Sequence, residues 1–190
     1  MVKKIVISYC LFILVNISFG QVDTTYFGIT VDTRLPGITD SLSFQIPTTF
    51  FASGSYNYDV DWNNDGVYDT VGVTGDIIHT YATAGVKSIR IKGTFPSIYF
   101  NNARDKEKLI SIDQWGIGTW NYLVYAFAGC SNMTYNATDK PILSNNTPMY
   151  GMFYMASSMN GDLSNWDVSE VNDFRFMFDL AISFNGDISS

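Results

Sequence analysis

MFYMASSMNGDLSN, Met152 to Asn165, and MFDLAISFNGDISS, Met177 to Ser190, are two copies of one pattern, with Met, Phe, Ala, Ser, Asn, Gly, Asp and Ser in register. A period of about 25 residues is the length of one unit of a stacked repeat array. The same ruler laid upstream finds a weaker third copy, in which Ala126, Phe127, Cys130 and Met133 fall where Met152, Phe153, Ala156 and Met159 fall. The C-terminal half is therefore an array, and the residues before it lead into it.

Within each copy the apolar residues sit at i, i+3, i+4 and i+7: Leu123, Ala126, Phe127 and Cys130; Met149, Met152, Phe153 and Ala156; Phe174, Met177, Phe178 and Ala181. That spacing predicts one apolar stripe of a short helix. Asn121, Thr147-Pro148 and Asn172-Asp173 stand where a helix start would be capped. A polar Asn-Gly-Asp turn follows, then a short apolar segment with Trp115, Pro141 and Trp166 in one slot. Such segments bury their faces only by stacking on the next unit, so a curved slab of strand-plus-helix units is expected. Ser190 aligns with Asn165, and the array is expected to continue past it.

From Tyr26 to Gly93 the period is two. Phe27, Ile29 and Val31, then Phe44 and Ile46, then Tyr56, Tyr58, Val60 and Trp62, then Ile89 and Ile91 alternate with smaller or polar residues. Pro36-Gly37, Ser53-Gly54, Asn64-Asp65-Gly66 and Ala84-Gly85 punctuate them, the pattern of an antiparallel sandwich.

The first 20 residues read as an export signal. Lys3 and Lys4 precede the apolar run Ile5 to Val15, and Ser18-Phe19-Gly20 places small residues where a signal peptidase cuts. The run is short for a bilayer-spanning helix of roughly 20 residues, so cleavage after Gly20 and a secreted or cell-surface location are expected. No transmembrane segment is expected in the mature chain. Cys10 leaves with the signal, and Cys130, in the small-residue slot of Ala156 and Ala181, reads as core. With 11 Lys and Arg against 18 Asp and Glu the net charge is −7, which disfavours nucleic acid and anionic membranes as partners.

YDVDWNNDG (Tyr58 to Gly66) and HTYATAG (His79 to Gly85), followed by VKSIRIKG, resemble the PKD (polycystic-kidney-disease) repeat, an immunoglobulin-like sandwich of extracellular proteins. The resemblance implies a spacer or binding module. AFAGCSNM (Ala126 to Met133) and the later MF, FNGDIS and NWDVS segments are similar to the BspA-type leucine-rich-repeat surface proteins, whose members are generally exported adhesins or interaction surfaces. The expected fold is thus mixed: an all-β immunoglobulin-like sandwich over residues 21–96, then a short α/β leucine-rich-repeat solenoid over 97–190, incomplete at its end.

One stretch has the donors for a cation. Asp61, Asn63, Asp65, the Val67 carbonyl and Asp69 occupy positions 1, 3, 5, 7 and 9 of an EF-hand-like calcium loop with Gly66 at position 6, although Gly72 stands where the closing Glu belongs. Asn-Asp-Gly between alternating runs is equally a hairpin turn, and the plain turn is the favoured reading. His79 is the only histidine, so no His-based triad or multi-histidine zinc site can form. Twelve Tyr, fourteen Phe and four Trp exceed what two small cores need, and Trp120, Tyr122, Tyr125, Tyr150 and Tyr154 lie beside the apolar stripes. They are candidates for a displayed surface that docks a protein or glycan. The expectation is a non-enzymatic surface adhesin or interaction protein without a cofactor, calcium aside. The alternatives are a carbohydrate-recognition accessory or N-terminal part of a larger secreted enzyme, and a calcium-stiffened stalk.

Overall fold

The structure, a computed structural model, describes residues 23–189; the export segment and its cleavage point near Gly20 lie outside them. The described chain forms β1 (Phe27–Asp32), β2 (Ser43–Ile46), β3 (Asn57–Asp61), β4 (Thr70–Val73), β5 (Ile77–Thr80), β6 (Val86–Thr94), β7 (Leu109–Gln114), β8 (Thr119–Trp120), β9 (Thr134–Tyr135) and β10 (Ile142–Leu143). One six-stranded sheet runs in the order β4-β3-β6-β1-β7-β9, with pairs β2-β5 and β8-β10 beside it. Pairing is antiparallel except at β7-β9 and β8-β10. The sheet is therefore mixed.

Alternation decides which side of each strand is dry. Phe27, Ile29 and Val31 on β1, Ile89 and Ile91 on β6, Tyr58 and Val60 on β3, and Phe44 and Ile46 on β2 are all buried in one core. On the other side of β6, Arg90 lies over the Tyr26 ring and Lys92 over the Tyr68 ring, at 4.6 and 3.7 Å from the centroids. The loop before β2 is fastened from a distance. Buried Lys108 donates to the carbonyls of Thr39, Asp40 and Ser43 and to the Thr39 hydroxyl at 2.6–3.1 Å, while buried Asp105 accepts the amides of Thr39 and Gln45.

The expected α/β solenoid is not what forms. Among the described residues there is no α-helix, only a single 3₁₀ turn at Lys106–Lys108, and the chain is nearly all β and turn. The three stripes expected as helices are runs of turns. An α-helix sends every amide to the carbonyl four residues back. Here the amides of Leu123, Tyr125, Phe127 and Gly129 leave for the next copy, donating to Pro148, Tyr150, Met152 and Tyr154 at 2.7–3.0 Å. Those of Met149, Gly151, Phe153 and Met155 donate in turn to Asp173, Arg175, Met177 and Asp179 at 2.9–3.2 Å. The intervening amides of Ala126, Ala128 and Cys130 close turns onto Leu123, Tyr125 and Phe127.

Left-handed residues recur four apart to make this path: Tyr125 and Gly129, Gly151 and Met155, Phe176 and Leu180, with φ between 51° and 75°. A four-residue beat mimics the spacing of a helical stripe, which is why the apolar positions read as helix. In the first two copies they are buried all the same, whereas in the third Met177 and Ala181 are buried, Phe178 is half-buried and Phe174 is exposed. Leu123, Ala126, Phe127 and Cys130 and their counterparts from Met149 to Ala156 are fully enclosed. Phe127, Phe153 and Phe178 stack in file, 5.7 Å apart at each step and within 19° of parallel.

The polar turns stack too. The Asn160 side-chain oxygen accepts the Asn185 amide at 3.0 Å, and the Leu163 amide reaches Asp187 at 2.8 Å. A side chain at Gly186 would run into the Gly161 carbonyl, so this slot of the repeat takes glycine.

The sheet crosses the expected boundary at residues 96–97. β7 pairs with β1 through Gly28, Ile29, Thr30 and Val31. At the junction Trp120 packs on Phe27 and Trp115 with centroids 4.8 and 5.1 Å away, and Trp115 meets Trp166 at 5.4 Å. The buried Tyr135 hydroxyl accepts both indole N–H groups, from Trp115 at 2.8 Å and Trp166 at 3.1 Å.

Candidate aromatic recognition strip

The tyrosines beside the stripes come together, with partners that their own spacing does not reveal. Stacking of coils puts Tyr125 against Tyr150, ring centroids 5.2 Å apart, and Tyr150 against Phe176 at 5.4 Å. Tyr154 lies 6.2 Å from Tyr125. Gly151, with φ of 58°, lets the Tyr125 ring lie on the backbone of the next coil, where any side chain at 151 would meet it. Arg175 covers Tyr150 at 5.3 Å and is held by Asp173 at 2.9 Å.

The strip continues into the first half of the chain. Phe51 stacks on Tyr122, 5.9 Å between centroids and 25° between planes, and meets Tyr99 at 6.4 Å. Phe50 adjoins Phe51 at 4.1 Å. Both sit in the loop between β2 and β3, anchored where the Tyr56 hydroxyl accepts the Thr49 amide and donates to the Ser97 carbonyl. Large apolar rings left in water are the informative exception on a folded surface. Phe50 is 88% exposed, and Phe51 and Phe176 are each 54% exposed.

The electrostatics keep the strip neutral. The Tyr150 hydroxyl beside it, desolvation and the nearby phenols of Tyr154 and Tyr99 push the Tyr125 phenol up to about 12. Burial likewise raises Tyr99 and Tyr122. These hydroxyls stay protonated at physiological pH. The cations at the border are paired, Arg104 with Asp76 and Arg175 with Asp173.

Of the residues expected on this surface, Tyr122, Tyr125, Tyr150 and Tyr154 are half-buried and line it. Trp120 does not. It is 1% exposed, because β8 turns it into the junction core against Phe27 and Trp115. Phe50, Phe51, Tyr99 and Phe176 were missed, and the Phe50-Phe51 pair between Pro47 and Ser53-Gly54 was the one local signal for them. An adjacent aromatic pair in a turn-rich stretch is out of place in a core.

The loop read as a calcium candidate joins β3 to β4 as a turn with Asn64 and Gly66 left-handed. The buried Asp61 carboxylate accepts the amides of Asn63, Asn64, Asp65 and Gly66 at 2.7–3.3 Å. Asp69 accepts the Trp62 amide at 3.1 Å, and Asp65 accepts from the Asn63 side chain and the Val67 amide. Its oxygens thus hold the loop's own backbone. Among the described residues no group of three or more His, Cys, Asp or Glu is placed to share a metal ion. His79 lies flat on Trp62, 4.7 Å away, and Cys130 is enclosed with its thiol raised by burial.

Residues 97–190 match one described family. It is the Mycoplasma protein of unknown function DUF285. No curated protein and no solved structure matches the chain. The DUF285 region contains all three turn-built copies and every ring of the strip from Tyr99 to Phe176, whereas Phe50 and Phe51 reach it from outside. No helix among the described residues is long and apolar enough to cross a membrane.

Proposed function

We propose that this chain is an exported surface protein that recognises a protein or glycan partner through the strip running from Phe50 to Phe176, and that it is not an enzyme. The observation that carries the reading is the exposure of Phe50, Phe51 and Phe176 beside the half-buried tyrosines of the strip, Phe50 above all. Supporting it, the family matched by residues 97–190 is associated with BspA-like surface proteins. Residues 1–20 have the composition of an export signal. The stacked coils also suit recognition, because they fix the rings of Tyr125, Tyr150 and Phe176, which then lose little freedom on binding.

Two experiments test this. Expression in a bacterial host with its leader should release a product whose first residue is Gln21; a chain retained with Met1 would overturn export. Beads coated with the full chain should adhere to an animal extracellular matrix or a biofilm matrix, and Phe51→Ala and Tyr150→Ala should reduce adhesion. Adhesion indifferent to both variants would remove the strip as the contact surface.

A further inference from the structure

The third coil, from Phe174 to Ala181, repeats the bonding of the first two on one side only. The first sends the alternate amides of Leu123, Tyr125, Phe127 and Gly129 outward to carbonyls of the second, and the second sends those of Met149, Gly151, Phe153 and Met155 to carbonyls of the third. The equivalent amides of the third coil are those of Phe174, Phe176, Phe178 and Leu180, and among the described residues no oxygen accepts them. A bond also runs the other way, from the Ser158 amide to the Ser131 carbonyl and from the Ser183 amide to the Ser157 carbonyl. Its open counterpart is the Ser183 carbonyl. The apolar slots open at the same face. Met149 and Leu163, whose amides bond to the coil that follows, are 0% and 4% exposed, whereas Phe174 and Ile188, one period later, are 42% and 62% exposed. With Leu163, Trp166, Val168 and Phe178 they line an apolar trough of about 530 Å³.

An open row of backbone donors is a template for another chain. The two interfaces already formed between coils specify that chain. The second coil accepts with the carbonyls of Pro148, Tyr150, Met152 and Tyr154 and donates back with the Ser158 amide; the third accepts with Asp173, Arg175, Met177 and Asp179 and donates back with Ser183. In both, carbonyls at alternate residues are followed by an amide four residues beyond the last. A polypeptide backbone supplies that register, and a sugar chain or a lipid does not. A second copy meeting this face coil to coil would set donor against donor and bury amides unpaired, at about 1–3 kcal/mol each. Side chains narrow the partner further. In both coils the third accepting residue is Met, the next is Phe, stacked on the Phe of the coil before, and Ala fills the enclosed slot three residues on. We propose that the outer face of the third coil is a docking site for a partner polypeptide with a Met-Phe-x-x-Ala coil, which adds to the array with its phenylalanine on Phe178. The proposal rests on the bonding between coils and not on the aromatic strip.

The probe is a fluorescein-labelled synthetic peptide with the sequence of the second coil, residues 147–165, titrated with the full chain and followed by fluorescence anisotropy. Saturable binding is expected, and a scrambled peptide of the same composition should not bind. Phe174→Glu and Ile188→Glu in the chain should each weaken binding at least about tenfold, because the new carboxylate would be buried in the trough without a partner. Ile78→Glu, at a site on β5 that is also exposed, should leave binding unchanged. Hydrogen exchange in the parent chain gives a second readout that no folding defect in a variant can imitate. The amides of Phe174, Phe176, Phe178 and Leu180 should exchange fast in the free chain and at least about tenfold more slowly with saturating peptide.

No saturable binding, equal binding of the scrambled peptide, or binding that leaves those amides unprotected would overturn the inference. Binding equally strong in Phe174→Glu and Ile188→Glu would also overturn it. So would sedimentation showing that the chain alone forms a dimer broken by Ile188→Glu, which would assign the face to a second copy.

Discussion

His79 lies flat on Trp62, 11° from parallel, with Tyr81 edge-on at 4.5 Å. Partial burial lowers its pKa below the ordinary 6.5, and Asp69 offsets only part of that. As pH falls through about 6.5 the unfolded chain takes the proton first, so stability drops from there down to the folded pKa. As the only histidine, it is the one side chain with an ordinary pKa in that window. The urea midpoint should be lower at about pH 5.5 than at about pH 7.5, modestly because solvent still reaches the ring, and His79→Gln should flatten the step. A step that persists in the variant would place the titration elsewhere. The Asp61 loop gives a second residue-scale prediction. Since its carboxylates already satisfy backbone amides, the melting midpoint should be the same in calcium and in chelator, and a calcium-dependent rise abolished by Asp65→Ala would reverse this. That His79 belongs to the framework was legible from its place at the start of the HTYATAG segment. That Trp120 is core was not, because a ring beside a stripe is hidden or displayed according to what packs over it.

At the scale of the element, the repeat explains its own glycines. Gly161 and Gly186 occupy the same slot in successive copies, and a Cβ at 186 meets the Gly161 carbonyl, a backbone atom that cannot swing aside. Gly186→Ala should therefore destabilise by about 1–3 kcal/mol in thermal or urea unfolding. Gly75→Ala, with open space around it, should lie within about 0.5 kcal/mol of the parent. Equal effects at the two sites would mean that the stacked turns are not as close as described. The period, the buried stripe and the enclosure of Cys130 were all readable, because burial imposes the same apolar spacing on any chain that repeats its path. The destination of the amides was not. Whether Phe127 donates to the residue four back or to Met152 in the next coil leaves no mark on the order of apolar and polar residues; only left-handed Gly129 and Gly151 hinted at it. Far-ultraviolet circular dichroism should accordingly lack the helical double minimum; a helical spectrum would restore the expected helices.

On the scale of the whole molecule, the two halves share their structure. β1 holds β6 on one side and β7 on the other, so residues 23–96 alone would leave the β7 side of their central strand unpaired. They would also lose Trp115 and Trp120 from the face of Phe27. An exposed central strand and a stripped aromatic face each cost several apolar contacts, and a domain of that size has little stability in reserve. The described chain should therefore unfold in one transition. Urea curves followed by far-ultraviolet circular dichroism, which sees all of it, and by tryptophan fluorescence in a Trp62→Phe variant, which leaves only Trp115, Trp120 and Trp166 in the second half, should superimpose. Two separated midpoints would show the junction to be a contact between independent units. The outcome bears on recognition, because the strip draws Phe50 and Phe51 from before residue 96 and Tyr125, Tyr150 and Phe176 from after it. If the halves fold as one, the Tyr135→Phe substitution, which leaves the Trp115 and Trp166 indoles without their acceptor, should lower the single midpoint, with a loss of stability of roughly 1–3 kcal/mol for each of the two donors. At denaturant concentrations where that variant is partly unfolded, ligand binding should fall in proportion to the folded fraction and not in two stages.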